Sequence, residues 1–403
     1  MNTKVKLANY YLPIFLFILS SGSAVGNVYP NFIYPLYFFC VLLCMILYPN
    51  SIRFKFNNII IAVVFTAIYL LNYWYFQCDS PSLNSYVGNL LLLYGTFFLS
   101  AQMSFEVFKM KFSTLMFLIA IYSLIMYVLG LTIHLEQYAT VQNSMPILGI
   151  YNYKDIVMAR SSGIFWEPGV YQIFLNLAVL FIIDVDHFKF TPKNTLQLAI
   201  LAVSILTTRS TTGYVTFTCL IIYFIFRFFS SRKLAIKLLL IAPLVAALGG
   251  LVVMIVYSPT VYNKLFVANP STSIRLNDLT QSPQIIMESP LLGFGSGTYT
   301  EQYQNAIHGT IYSSVGIFLS AIRYGCIYMF LYICRIAVFI RTEFGKVKLL
   351  AAFLIVVFSF TEGMFEFALM FMFLFLFQSE PKSGMEKNVI PTEVGWSIGN
   401  HSE

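Results

Sequence analysis

Apolar residues run in unbroken stretches of membrane-crossing length along almost the whole chain. They fall at about 7–25, 30–48, 58–76, 84–101, 113–133, 168–185, 195–208, 213–229, 235–257, 312–340, 349–362 and 364–378. A helix needs about 20 apolar residues to cross the hydrocarbon layer. Within lipid only helices or closed barrels satisfy every backbone polar group. The stretches are continuous rather than alternating, which argues against strands. The pattern predicts an all-α polytopic membrane protein with about 12 transmembrane helices. The short stretches at 195–208 and 349–362 also have the length of half-helices or re-entrant segments. The long one at 312–340 is interrupted by Arg323-Tyr324-Gly325, which suggests a surface helix feeding a span. The domain organisation follows: a single transmembrane domain over 1–378, then a polar tail at 379–403 carrying Pro381 and Pro391. Such a tail is expected to be disordered.

Composition sharpens the class. The chain of 403 residues is 58% hydrophobic and 10% charged, whereas a soluble domain keeps about 25% of its residues charged. The 40 Phe and 27 Tyr suit lipid-facing and interfacial positions. The formal charge of +7 is scattered over short loops, with no basic arm or helix, so nucleic acid is excluded as a partner. Five of the six cysteines (Cys40, Cys44, Cys219, Cys326 and Cys334) lie in apolar runs, and Cys78 stands alone in a loop. Neither metal-ligand spacing nor a disulfide framework emerges. The N-terminus imitates a signal peptide, with Lys4 and Lys6, an apolar run and then Ser20-Ser21-Gly22-Ser23-Ala24. It reads better as the first span of a many-span protein.

Orientation changes the picture more than composition does. With the N-terminus inside, 18 of the 24 Lys and Arg residues fall on the inner side, as the positive-inside rule requires. Both termini are then cytoplasmic. Six basic residues remain outside: Lys154, Arg160, Arg209, Lys264, Arg275 and Arg323. Topology does not need them, so they call for another explanation. Two long outer loops, about 134–166 and about 258–311, add to the case, because long loops are often functional.

Four stretches carry candidate chemistry. The first is Arg160-Ser161-Ser162-Gly163-Ile164-Phe165-Trp166-Glu167-Pro168. Glu167-Pro168 fits a plain helix start, where a carboxylate meets the positive end of the dipole. It also puts a carboxylate and an arginine at one outer cavity, and a charge at membrane depth costs about 2.5–3.5 kcal/mol unless something offsets it. The second is Thr207-Thr208-Arg209-Ser210-Thr211-Thr212-Gly213. A guanidinium fork among hydroxyls suits a phosphate; the plain alternative is a polar turn with Arg209 snorkelling to the headgroups. The third runs from Ser271 through Arg275 to Pro290-Leu291-Leu292-Gly293-Phe294-Gly295-Ser296-Gly297, then His308 and Tyr312. The glycines permit close backbone approach but form no Walker loop. His308 can carry a proton near neutral pH, although a lone loop histidine is usually just solvated. The fourth, Ser359 to Glu366, brings Glu362 and Glu366 to an outer turn, where they either pair with outer arginines or stay solvated.

In this order the pieces resemble the O-antigen polymerase and ligase superfamily of lipid-linked glycan transferases. The resemblance rests on Arg160, Gly163 to Pro168, Thr208-Arg209-Ser210, Arg275, Pro290 to Gly295, His308 and the segment around Gly325. It covers roughly 150–330. The Glu167-Pro168 pair tilts it towards the polymerase, while Gly309 after His308 departs from a ligase-like pattern. The resemblance implies a membrane glycosyltransferase architecture (GT-C-like) in the bacterial inner membrane, with its site facing the periplasm. It implies a glycan donor and acceptor, both on undecaprenyl diphosphate, surrounded by membrane lipids, with a chain-length regulator as a further partner. It implies chemistry without a metal or other cofactor, in keeping with the lack of an outer Asp-x-Asp motif. On that basis Arg209, Arg275 and Arg160 bind diphosphate, and His308 and Glu167 compete as the catalytic base. Tyr312, Arg323 and Glu362 contact substrate. The rival readings are a ligase acting on lipid A core and a polysaccharide flippase. The flippase is disfavoured because the charges gather in outer loops and no internal repeat is visible.

Overall fold

A computed structural model describes residues 10–76, 80–133, 146–147, 150–152, 159–185, 191–230, 270–296, 315–361 and 363–378. The chain is an all-α polytopic membrane protein. It starts with α1 (Tyr11–Leu19), a short α2 (Ala24–Val28), α3 (Pro30–Leu47), α4 (Phe56–Phe76), α5 (Ser80–Ser100) and α6 (Phe105–Ile133). A two-residue hairpin, β1 (Pro146–Ile147) with β2 (Tyr151–Asn152), lies in the first long loop. Then come α7 (Pro168–Val185), α8 (Pro192–Thr208), α9 (Thr211–Ser230), α10 (Pro270–Glu288), α11 (Gly316–Glu343), α12 (Lys348–Thr361) and α13 (Ala368–Met372). Among the described residues, five helices are long and apolar enough to cross a membrane: α3, α4, α6, α7 and α11. The expected span at 235–257 lies outside the described residues.

The bundle is built around α7. Its apolar window is 89% buried, against 22% for α3 and α4. A helix that is apolar all round belongs inside. It packs against α6, α8 and α9. Helices α3 and α4 keep one face towards lipid, with Phe32, Phe39 and Ile46 on α3 and Val63 and Leu70 on α4 exposed.

Two elements differ from the sequence expectation. The span expected at 113–133 begins at Phe105, because Lys109 and Lys111 are buried in the helix rather than left in a loop. Lys109 binds Glu106 and Asp184 at 2.5 and 2.6 Å, and Lys111 lies 3.9 Å from the Tyr11 ring centroid. The run at 364–378 is not a spanning helix. Only Ala368–Met372 is helical; the chain then passes through turns at 373–375 into a non-helical strap that ends at Gln378. Non-helical backbone inside a membrane protein needs partners from elsewhere. The strap has them. Leu376 N donates to Asn58 Oδ1 (3.0 Å), Phe377 N to Glu343 Oε1 (3.0 Å) and Gln378 N to the Met103 carbonyl (3.2 Å). Its carbonyls accept from Arg335 (to Leu374, 2.8 and 3.0 Å), Asn58 (to Leu376, 2.8 Å) and Lys55 (to Phe377). A short apolar run does not distinguish strand from helix by its period; here side chains from α4 and α11 decide it.

Candidate functional site

At the opposite end of the bundle from Lys109 and the strap, the first two candidate stretches meet. The loop before α7 lies against the turn between α8 and α9. Ser161 N donates to the Thr207 carbonyl at 2.9 Å, and Arg160 Nε to the Thr208 carbonyl at 3.4 Å. Tyr127 on α6 donates to the Ala159 carbonyl (2.7 Å) and Tyr214 on α9 to the Leu206 carbonyl (2.8 Å), so both tyrosines brace the junction. Arg209 ends α8 in the left-handed region, with φ 47° and ψ 36°. Ala159 has φ 51°. Non-glycine residues rarely adopt this conformation, and it costs of order 1–3 kcal/mol where the surroundings enforce it. The only two such residues among those described therefore flank one junction. Ser210 starts α9, its Oγ accepting from Gly213 N at 3.4 Å.

Arg209 is half-buried and within electrostatic reach of the Tyr127 and Tyr214 hydroxyls. Among the described residues its guanidinium has no hydrogen-bond or ion-pair partner. Glu167 is half-buried too. Its carbonyl accepts the first helical bond of α7 from Tyr171 N (3.2 Å), but its carboxylate caps nothing among the described residues. Beneath them lie buried hydroxyls. A Cβ on Gly163 would come within 2.8 Å of Ser123 Oγ and 3.0 Å of the Tyr171 ring.

The third and fourth stretches meet at the break in α11. Gly325 has φ 85° and ψ 171°, and a Cβ there would sit 2.0 Å from the Leu291 carbonyl oxygen. The Pro290–Gly295 loop fills that notch. Cys326 N donates to Pro290 O (2.7 Å) and Phe294 N to Ile322 O (2.8 Å). Asn72, fully buried, clamps both sides through Nδ2, to Leu292 O at 2.5 Å and to Arg323 O at 3.2 Å. The Arg323 side chain forms an ion pair with Glu366. Glu366 Oε1 is buried without a hydrogen-bond partner among the described residues, within electrostatic reach of Tyr34, Tyr69, Tyr324 and Tyr328.

The two clusters share one hinge point, the Ser20-Ser21-Gly22-Ser23 turn. Trp166 N donates to Gly22 O (3.3 Å), Ala24 N to Ile164 O (2.9 Å) and Leu369 N to Ser21 Oγ (2.9 Å). The stretch that imitates a cleavage site is thus a buried turn wired to both α7 and α13.

The structure therefore brings Arg160 and Arg209 together, with Glu167 in the same loop as Arg160, and seats Arg323 in a second cluster beside it. Arg275 lies on α10. His308, Tyr312 and Glu362 lie outside the described residues. Sequence reasoning missed Asn152, whose Nδ2 holds the carbonyls of Phe165 (2.7 Å) and Trp166 (2.9 Å), and it missed Asn72 and Gly22. Single buried asparagines and a turn glycine carry no periodic signal; only the polar break of an apolar run marks Asn72 and Gly22. Chemically, an open guanidinium beside hydroxyls suits an anionic oxygen ligand, and a free carboxylate can accept a hydroxyl proton.

Residues 196–312 match the family model described as O-antigen ligase. The match is consistent with the O-antigen polymerase and ligase superfamily and supports activity of that broad kind. It takes in Arg209, Arg275, His308 and Tyr312; Arg160, Glu167, Arg323 and Glu362 lie outside it. No curated protein and no solved structure matches the chain.

Proposed function

We propose, with kinship to the O-antigen polymerase and ligase superfamily as the premise, that this chain polymerises oligosaccharide repeat units carried on undecaprenyl diphosphate. It works at the periplasmic face of the bacterial inner membrane, with both termini cytoplasmic. The observation that carries the reading is the junction of Arg160 with the Thr207–Thr211 turn, where Arg209 has no partner among the described residues while buried Lys109 at the other end is ion-paired. An acceptor hydroxyl oxygen forms a bond to the anomeric carbon of the donor. The bond from that carbon to the diphosphate oxygen breaks, and the electron pair leaves with the lipid diphosphate. Arg209, Arg275 and Arg160 hold the departing charge, a preorganised contribution worth several kcal/mol in a partly dry site. The hydroxyl proton goes to His308 or Glu167. Tyr312, Arg323 and Glu362 contact the sugars, and a chain-length regulator docks on the assembly. With His308 as base, activity falls on acidification, as the imidazole protonates and ceases to accept.

A ligase is the second reading, favoured by the description of the matching family model. It uses the same donor but delivers the chain to lipid A core. The lipopolysaccharide ladder of a deletion strain separates the two. A polymerase leaves core carrying a single repeat unit, and a ligase leaves core carrying none. Normal long chains would end both readings.

A further inference from the structure

We infer that Trp166 and Phe367, seated on Gly22, form the floor of a subsite for a sugar ring of the substrate, with Glu167 and Glu366 as its walls. The inference rests on the polymerase-or-ligase reading and assigns Trp166, Phe367 and Glu366, which that reading leaves unused. Its basis is a juxtaposition of two aromatic–carboxylate pairs from distant parts of the chain. Trp166-Glu167 precedes α7 and Glu366-Phe367 precedes α13. All four side chains are half-buried, while their flanking neighbours Phe165, Pro168, Phe365 and Ala368 are buried. Each pair is therefore a small opening in an otherwise closed surface.

Gly22 joins the two openings. Its φ is 96°, and a Cβ there would lie 3.4 Å from Phe367 Cε2, 3.6 Å from Trp166 Nε1 and 3.1 Å from Val170 Cγ1. Both rings therefore rest on the same bare backbone turn. A side chain at residue 22 would press on them. Polar capacity is left over at the same place. Trp166 Nε1 and Glu366 Oε1 are buried with no hydrogen-bond partner among the described residues, and the Glu167 carboxylate also has none among them. Buried polar groups are normally satisfied, so such atoms ask for a ligand or ordered water. An indole face takes the apolar C–H face of a pyranose, and carboxylate oxygens accept from its hydroxyls. A polar, neutral, ring-shaped ligand meets both demands; a diphosphate does not, because the Glu167 carboxylate would repel it. The anion then belongs to the Arg160–Arg209 junction, and the sugar to the neighbouring aromatic floor.

The chain has three tryptophans, Trp74, Trp166 and Trp396. Full-length protein carrying Trp74→Phe and Trp396→Phe makes Trp166 the sole indole reporter. Three probes are titrated into it in nanodiscs: undecaprenyl diphosphate, the lipid-linked repeat unit that accumulates in the deletion strain, and the phosphate-free oligosaccharide released from that lipid. The sugar-bearing lipid should change Trp166 emission in a saturable way, the free oligosaccharide should do so more weakly, and undecaprenyl diphosphate alone should not. Trp166→Leu should raise KM for the lipid-linked repeat roughly tenfold with kcat within about twofold, and Trp166→Phe should restore most of the loss, as expected for a stacking contact. Turnover of the repeat with no Trp166 response, or an equal response to bare undecaprenyl diphosphate, overturns the subsite and leaves the functional reading standing. Failure of the wild-type protein to bind or turn over the repeat at all sinks that reading, and the subsite with it.

Discussion

The two ends of the bundle treat charge in opposite ways. At the Lys109 end the buried ionic groups are held within the chain, Lys111 by the Tyr11 ring and the others by ion pairs or backbone. Lys109 binds both Glu106 and Asp184, Lys55 and Arg335 bind carbonyls of the strap, and Glu343 takes the Phe377 N–H. At the Gly22 end Arg323 pairs with Glu366, while Arg209 and Glu167 stand half-buried without partners among the described residues. The same low-polarity surroundings act on both. Burying an ion without compensation costs several kcal/mol, so a fold that closes one end so thoroughly has a reason to leave the other open. On the proposed function, the charges without a partner among the described residues are the ones that await the substrate.

Mutations at the two ends should separate stability from activity. The largest effect belongs to Lys109→Met. It removes the buried cation that Glu106 and Asp184 both bind, and breaking a buried pair costs about 3–5 kcal/mol. Thermal unfolding in detergent should shift sharply, while the surviving protein keeps its specific activity; a silent Lys109 would break the comparison at the closed end. Next comes Arg209→Ala. Removing one preorganised charge from a leaving group costs roughly 100-fold in turnover, with unfolding unchanged because no partner is stranded. Arg209→Lys should also be impaired, since ammonium cannot form the fork. Full-length polymer from Arg209→Ala at normal expression would remove it from the site. Glu167→Gln should cost roughly tenfold or more if the carboxylate takes the proton, again with unfolding unchanged. A drop in stability that matches the drop in activity would reassign Glu167 to the helix start. The smallest effect is Lys111→Met, which loses the contact with the Tyr11 ring. About 0.5–1 kcal/mol of stability and no activity should go with it.

Sequence legibility follows the same divide. Helices such as α3, α4, α7 and α8 were legible because lipid demands long apolar runs, and the family likeness was legible from the order of the motifs around Arg160, Arg209 and Arg275. Lys109 and Lys111 misled, because a charge in sequence signals a loop and only tertiary partners reveal it as buried. The strap at 373–378 misled for a related reason. Its Phe and Leu residues satisfy any apolar period, and the side chains that fix it come from more than 30 residues away in the chain. At the site, Arg160 and Arg209 stood out one by one. Their meeting did not, since it depends on α8 packing back along α7. The Trp166–Gly22–Phe367 contact joins the two ends of the sequence and leaves no local mark.

Affinity for undecaprenyl diphosphate tests the contrast between the ends most directly. Wild-type protein, Arg209→Ala and Lys109→Met would be titrated with it in nanodiscs, each shown to be folded. Arg209→Ala should bind at least tenfold more weakly than wild type, a loss of about 1.4 kcal/mol, and Lys109→Met should bind as wild type does. Equal affinity in wild type and Arg209→Ala, or loss of binding in folded Lys109→Met, would contradict the claim that the open end is where the lipid diphosphate is held.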